Sequence, residues 1–552
     1  MCIRDRQRAD TILVNGVICT VDPSFRFVQA LAVGDDKILY CGNNRQALQL
    51  QGDGTKIIDL EGKLVLPGTF DAHIHAAYAG LSLSPDFVKV EPEDASNLKE
   101  LNDRIREKAG NLPADTWIIG WGFKIRQVEE WAREERMPTW KDIEEGSLGH
   151  PVILNDGGLH TMLVSKQALK LAGITKDTRF KKEEGIMFRF EDGSPTGLFT
   201  DFGTQAAVGR AAYHLQGREM DECLIRMQRK MNSYGITSHN DIVGPGGNDI
   251  CFGTYGEEAI RGYERLRREG KLTARVFINL LAGKGGVQSY DTIIGGLEEM
   301  NLPEFGDRKW VRADAVKIFG DDGWERDLPP EKNGYCMFPG ETQEEQGEEL
   351  RRTIRELHHR GWQTAIHLTG GRGIDISVDA LSEAEEEEPG RDLRHFILHA
   401  SSSSKENIKK CVRHEIGCGA QAVGGYEFGG ETDYKILLDG GMLVAEGSDA
   451  PALPMNWMKG LHFLVSRRAK DGKVYHPEMA IDIREAVRMY TIYPAYQNHA
   501  EDICGSLEVG KCADLQVLDR NIFEIPADEI EHTEVLMTMC GGRVVYRKGD
   551  SI

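Results

Sequence analysis

The sequence predicts an α/β protein: a (β/α)8 TIM-like barrel with a large insertion after its first strand, plus a small composite β-sandwich. Three observations carry this. Both termini are rich in short strands and Gly/Asp turns. The middle alternates short apolar strands with helical patterns, and one gap between consecutive strands is far too long for a single crossover.

The N-terminal texture runs through "TILVNGVICTV", "ALAVGDDKILYCG" and "TKIIDLEGKLVLPG", and it returns in "GSLEVGKCADLQVLD" and "EVLMTMCGGRVVYRKGD". Each piece alone is too small to bury a core, so the two ends are expected to form one sandwich from residues 8–68 and 503–552. The barrel is expected over 69–502. Its eight strands read as "FDAHIH" (70–75), "ITSHND" (236–241), "RVFINLL" (275–281), "AVKIFG" (315–320), "TAIHL" (364–368), "HFILHA" (395–400), "GAQAVG" (419–424) and "LVAEGSD" (443–449). "DECLIRMQRKMNSYG" and "GEELRRTIRELHHRG" read as intervening helices. An insertion over about 82–225 carries its own strands, "TWIIGWGF" and "PVILND", and "EAEEEE" (383–388) reads as a solvated helix end.

The 552 residues carry a formal net charge of −21, which argues against nucleic acid or an anionic membrane as the main partner. The 11 cysteines are scattered without a CxxC, as in a reducing cytoplasm rather than a disulfide framework. No run approaches the roughly 18 apolar residues of a membrane span, and no signal-peptide pattern opens the chain. The opening "MCIRDR" resembles translated adapter sequence, so the native start is expected elsewhere. A cytoplasmic protein with a small-molecule partner is the expectation, with homo-oligomer formation left open.

Functional groups of a (β/α)8 barrel gather at the C-terminal ends of its strands. His73 and His75 close the first strand, two residues apart and so on one face. Lys317 lies in the fourth strand among apolar neighbours, His367 closes the fifth, His399 the sixth and Asp449 the eighth. Taken singly, each has an ordinary reading: a surface histidine, a lysine snorkelling to a strand end, an aspartate capping a helix. Together they place nitrogen and carboxylate donors around one cavity, a set suited to Zn²⁺ and related divalent ions. Lysine is the odd member, because an ammonium cannot ligate. A buried lysine has a depressed pKa, and its neutral amine can add carbon dioxide to become a bridging carbamate.

The motifs "GKLVLPGTFDAHIH", "VKIFGDDG", "HLTGGRGID", "LRHFILHA", "GSDAP" and "GSLEVGKCADLQVLD" resemble the amidohydrolase superfamily. The likeness is to its branch with a long insertion after the first barrel strand (YtcJ-like, N-substituted-formamide-deformylase-like), over nearly the whole chain. The resemblance implies that His73, His75 and Asp449 hold one metal, that His367 and His399 hold a second, and that Lys317 bridges them as its carbamate. Zinc is the expected ion, one or two per chain. His160, in "NDGGLH", and Asp322, in "FGDDG", match positions that face the active site, beside their plainer readings as a loop brace and a turn residue. Two positions depart from the pattern: Gly371 stands where an aspartate is usual and Leu398 where a glutamate is usual. Neither is a ligand position; both lie where partners orient ligands.

The expected activity is metal-dependent hydrolysis of a non-peptide, amide-type C–N bond in a small molecule: an N-formyl or N-acyl amine, an N-acyl amino acid or a carbamate. Metal-activated hydroxide attacks the carbonyl, with Asp449 as general base and then acid. His160 or His239 is expected to meet the oxyanion or substrate, and Trp117, Trp121 and Phe123 either wall the site or pack the insertion. Two readings remain beside it. A cyclic amidine deaminase would use the same chemistry, commonly with one metal. A non-catalytic metal-stabilised binding protein would be expected to lose ligands, and all six are present.

Overall fold

The computed structural model describes residues 8–91, 93–158, 160–328, 333–400, 403–430 and 434–549; the "MCIRDR" opening lies outside them. Eight parallel strands form one sheet in sequential order: Thr69–Ile74, Ile236–Val243, Arg275–Leu281, Val311–Phe319, Gln363–Leu368, Phe396–His399, Gly417–Ala420 and Val444–Glu446. The eighth strand meets the first through the residues that follow it. The Asp449 N–H donates to the His73 carbonyl at 2.7 Å, and the His75 N–H donates to the Ala450 carbonyl at 2.9 Å. Gly447 permits this approach, since a Cβ there would lie 2.5 Å from the His73 nitrogen. The chain is thus an α/β protein with a nearly closed barrel.

Outer helices follow from the 3.6-residue period. In Glu257–Arg268, Ala259, Ile260, Tyr263 and Leu266 share the buried face, with acids in the first turn and arginines in the last, as the helix dipole favours. In Gln343–His359, Thr342 and Glu345 close a capping box at the start. The acidic run 383–388 ends the helix Gly371–Glu387, and Glu383 and Glu387 pair with Arg351 and Arg355 of Gln343–His359.

The seventh strand differs from the expected 419–424: it ends at Ala420, and Ala422–Phe428 is a helix. The buried Glu446 side chain accepts the Ala422 N–H at 2.8 Å and satisfies a free donor at the helix start. "GAQAVG" has no alternating β-branched residues to resist this.

Both ends of the chain meet in two further sheets. One runs Lys37–Gly42, Ala30–Gly34, Thr11–Val14, Lys56–Asp59; the other runs Arg543–Arg547, Val535–Cys540, Leu515–Leu518, Leu64–Pro67, Val17–Cys19, Phe27–Val28. Leu13, Leu31 and Val65 from one end pack with Leu515, Val517 and Met537 from the other. A fully buried ion pair ties this sandwich to the barrel: Arg275, opening the third strand, donates to Asp514 at 2.6 and 3.0 Å, and Gly541 N–H adds a third bond. Asp514→Ala strands the guanidinium, and a loss of about 3–5 kcal/mol of stability is expected. Denaturant unfolding checks this, and an unchanged midpoint would contradict it.

Between the first and second barrel strands the chain builds its own six-stranded sheet. The order is Met187–Arg189, Pro195–Thr200, Thr161–Val164, Val152–Asp156, Ile118–Phe123, Val88–Lys89. Trp121 and Phe123 are buried, and the Phe123 ring packs edge-on against Trp131 at 5.9 Å, so these aromatics pack the insertion. Among the described residues the cysteines are unpaired, and no helix is long and apolar enough to cross a membrane.

Candidate metal centre and active-site cavity

The ends of the first and eighth strands bring His73, His75 and Asp449 together. Nε2 of His73 lies 3.2 Å and Nε2 of His75 3.1 Å from Asp449 Oδ1. One ligand atom from each of the three lies within 4.8 Å of the others. The fifth and sixth strands supply a second pair: His399 Nε2 stands 3.0 Å from His367 Nδ1. The two groups adjoin, with the His73 and His399 rings 5.6 Å apart. Lys317 is buried, and among the described residues its Nζ has no hydrogen-bond partner.

Burial sets the protonation states. It pushes His73 down to about 3, helped by the nearby Lys317, and His399 down to about 4; His367 is held well below the usual imidazole range by burial and by His399. Lys317 falls from 10.5 to about 7, also through burial. Burial works against the Asp449 anion, but the hydrogen bonds and charges of His73 and His75 outweigh it and hold the carboxyl well below its usual value. The cluster thus sets histidine rings and an anionic carboxylate beside a buried lysine amine that has no hydrogen-bond partner among the described residues. That donor set fits a divalent cation.

The backbone carries strain at these ligands. His399 has φ +75°, Ala400 +44° and Asp449 +55°, a left-handed region that costs non-glycine residues of order 1–3 kcal/mol each. Asp71 helps fix the arrangement: its Oδ1 accepts N–H groups from His73 at 3.2 Å and from Ser448 at 2.9 Å, linking the two ligand-bearing segments. Burial raises its pKa to about 7.

A cavity of about 450 Å³ lies beside the cluster. The insertion contributes His160, Lys182, Glu183, Ile186, Asp201 and Phe202; the segment after the fourth strand contributes Asp322, Tyr335, Met337 and Phe338. Its inner end reaches the cluster. The His160 ring is 6.2 Å from His367, and Phe202 is 5.0 Å from Phe319, which is 5.6 Å from His367. Burial disfavours the His160 cation, but Asp201, Asp322 and Asp156 together raise its pKa above the usual value. Asp201 accepts the Tyr335 hydroxyl at 2.9 Å.

Not every expected residue joins. His239 is buried under the outer helix, its ring 6.0 Å from Tyr263, and it lines neither the cluster nor the cavity. The expectation that it meets substrate is therefore corrected: beside Asp241, which takes the Tyr263 hydroxyl at 2.6 Å, it belongs to the packing between strand and helix. Asp322 does face the cavity, whereas its neighbour Asp321 is buried and accepts the Thr369 and Gly370 N–H groups at 2.9 and 3.0 Å.

The two departures have local accounts. A Cβ at Gly371 would meet the Arg326 guanidinium, which would have to move from its pairing with Asp375 at 2.6 and 2.7 Å, one turn further along the helix. Leu398 packs with Ala365 and Phe396, an apolar setting that offers a carboxylate no partner. Sequence reading missed Asp201, Phe202, Asp71 and Gln421. Only Asp71, inside "TFDAHIH", carried a local signal; Gln421 was hidden in a stretch read as strand.

A second group, His358, Glu385 and His395, also converges, at the N-terminal end of the sixth strand. Its hydrogen bonds argue against a metal. The Thr364 N–H donates into His395 Nδ1 at 3.0 Å, so the neutral ring carries its hydrogen on Nε2. That hydrogen points at His358 Nδ1, 3.0 Å away, so the two facing ring nitrogens satisfy each other and leave Glu385 as the one free donor of the three.

Comparison with known proteins agrees with this arrangement. Residues 56–546 match the family described as "Amidohydrolase family". The N-substituted formamide deformylase of Arthrobacter pascens is 25% identical over 99% of this chain and 100% of its own length. The putative amidohydrolase YtcJ of Bacillus subtilis is 26% identical over 94% of this chain and 96% of its own length. Among solved structures, an uncharacterized metal-dependent hydrolase from Pyrococcus horikoshii superposes with a TM-score of 0.69 at 21% identity, covering 94% of this chain and 99% of that one; this likeness speaks to the fold. The chain belongs to the amidohydrolase family and is a metal-dependent amidohydrolase acting on carbon–nitrogen bonds.

Proposed function

We propose that this enzyme hydrolyses the amide-type bond of a small N-formyl or N-acyl amine at the cluster of His73, His75, Lys317, His367, His399 and Asp449. The observation that carries the reading is the convergence of these six side chains, from five separate strand ends, beside a cavity of about 450 Å³. The activity named for the relative from Arthrobacter pascens supports the acyl class. Three carboxylates in the cavity wall, against Lys182 and His160, favour a neutral or amine-bearing substrate over an N-acyl amino acid.

His73, His75 and Asp449 would hold one divalent ion, with zinc as the proposed metal, and His367 and His399 a second. Lys317 would join them once its neutral Nζ has added carbon dioxide and lost a proton to give a carbamate. Ions so held supply Lewis acidity, which polarises the scissile carbonyl and acidifies water. The Asp449 carboxylate, whose Oδ1 lies at both histidines, takes the proton the attacking water loses and returns it to the departing nitrogen. His160, at the inner end of the cavity and with a pKa raised by Asp201, Asp322 and Asp156, donates to the oxygen that gains charge. Phe202, Met337 and Phe338 keep bulk water from the acyl group. Lys317 is near enough to act electrostatically on both His73 and His367, which favours a bridged pair over the single ion of a deaminase.

Amine release across a panel of N-formyl, N-acyl and carbamate compounds tests the activity, using zinc- and bicarbonate-loaded protein with a chelator-treated control. Chelator-sensitive release from N-formyl or N-acyl amines is expected; loaded protein that releases none overturns the reading. A pH test follows from Lys317. Its amine is neutral above its value of about 7, so the neutral fraction rises about tenfold between roughly pH 6 and pH 8. Metal-free protein given zinc at fixed dissolved carbon dioxide should regain activity about tenfold faster at the higher pH. A pH-independent rate would contradict carbamate formation.

A further inference from the structure

We infer that Gln421 is a positioning residue that fixes the metal-binding tautomer of His399; the inference rests on the metal reading above. Gln421 follows the seventh strand, outside the ligand set, and its Oε1 lies 2.7 Å from His399 Nδ1. An amide oxygen only accepts, so this contact requires the hydrogen on Nδ1 and leaves Nε2 bare. The bare Nε2 faces His367 Nδ1 at 3.0 Å, and the two ring nitrogens would serve as ligands to a cation.

The amide orientation is itself constrained. Gln421 Nε2 points towards the Gly419 carbonyl at 3.5 Å, which a reversed amide would meet with an oxygen. The backbone of Gln421 is anchored as well: its N–H donates to the Tyr434 hydroxyl at 3.0 Å, and the next N–H, of Ala422, is held by Glu446. This anchorage matters because His399 sits on left-handed backbone, which strand pairing alone does not hold in place. The HxH pair has no equivalent device. Among the described residues, Nδ1 of His73 and Nδ1 of His75 have no hydrogen-bond partner. Partners of this kind, where they occur, orient the ring and raise its basicity.

The test compares zinc affinity, by competition with a chromophoric chelator, in wild type, Gln421→Leu and Gln421→Glu. Leucine keeps the bulk and removes the acceptor, so affinity should fall by about 10–100-fold; glutamate keeps an acceptor and should hold affinity at or above wild type. The unfolding midpoints of the metal-free proteins control for packing. Wild-type affinity in Gln421→Leu overturns the inference, and so does an equal loss in both variants. A wild-type protein that binds no zinc instead overturns the metal reading on which the inference rests.

Discussion

Lys317→Ala should lose activity by about three orders of magnitude, the equivalent of roughly 4 kcal/mol of transition-state stabilisation, together with most of its bound metal. The lysine is buried, its amine is pushed down to about 7, and among the described residues it has no hydrogen-bond partner, only the face of the Phe319 ring at 4.5 Å, which repays little of its desolvation. A carbamate would repay it, with one negative charge shared over two oxygens that could serve two cations. Alanine removes the bridge and leaves a space lined by imidazoles and Asp449. Short carboxylic acids should enter that space and restore part of the activity, and formate and acetate added to the assay check this. Wild-type metal content and turnover in this variant would remove Lys317 from the centre. Because the substitution deletes a buried, unpaired amine, the fold should be retained, which near-ultraviolet circular dichroism can follow.

Asp449→Asn should reduce kcat by about 10²–10⁴-fold with little change in KM, the range expected when a positioned proton carrier is lost. The amide keeps the shape of the carboxyl and an oxygen for His73 and His75, so part of the metal should remain. It cannot accept a proton from water or return one to the leaving nitrogen. Metal analysis beside steady-state kinetics separates the two roles. Parallel loss of metal and kcat would reduce Asp449 to a ligand, and full turnover would contradict the proposed proton transfer.

The sequence exposed the barrel well because most strands are short apolar runs, and five of them carry a chemically distinctive residue at or near the end. His73, His75, His367, His399 and Asp449 were legible for that reason, at the ends of strands hundreds of residues apart. The sandwich was legible because neither end could bury a core alone, and Leu13 against Val517 is the kind of contact that follows. The seventh strand was misplaced, since "GAQAVG" carries no period and the Glu446 cap that turns it into a helix comes from the eighth strand. His239 misled through its position near a strand end; which face it uses is set by Tyr263 on a helix packed outside. The cavity was illegible in principle. Asp201 and Phe202 come from the insertion, and only its docking on the barrel puts them beside His367.

The most direct measurement is metal stoichiometry, with intact mass, on protein reconstituted with zinc and bicarbonate and passed through a desalting column. Two zinc ions per chain and the mass of one added carbon dioxide, lost together in Lys317→Ala, are the expected result. Protein that retains no zinc under these conditions, with His73, His75, His367, His399 and Asp449 all intact, would contradict the account at its centre.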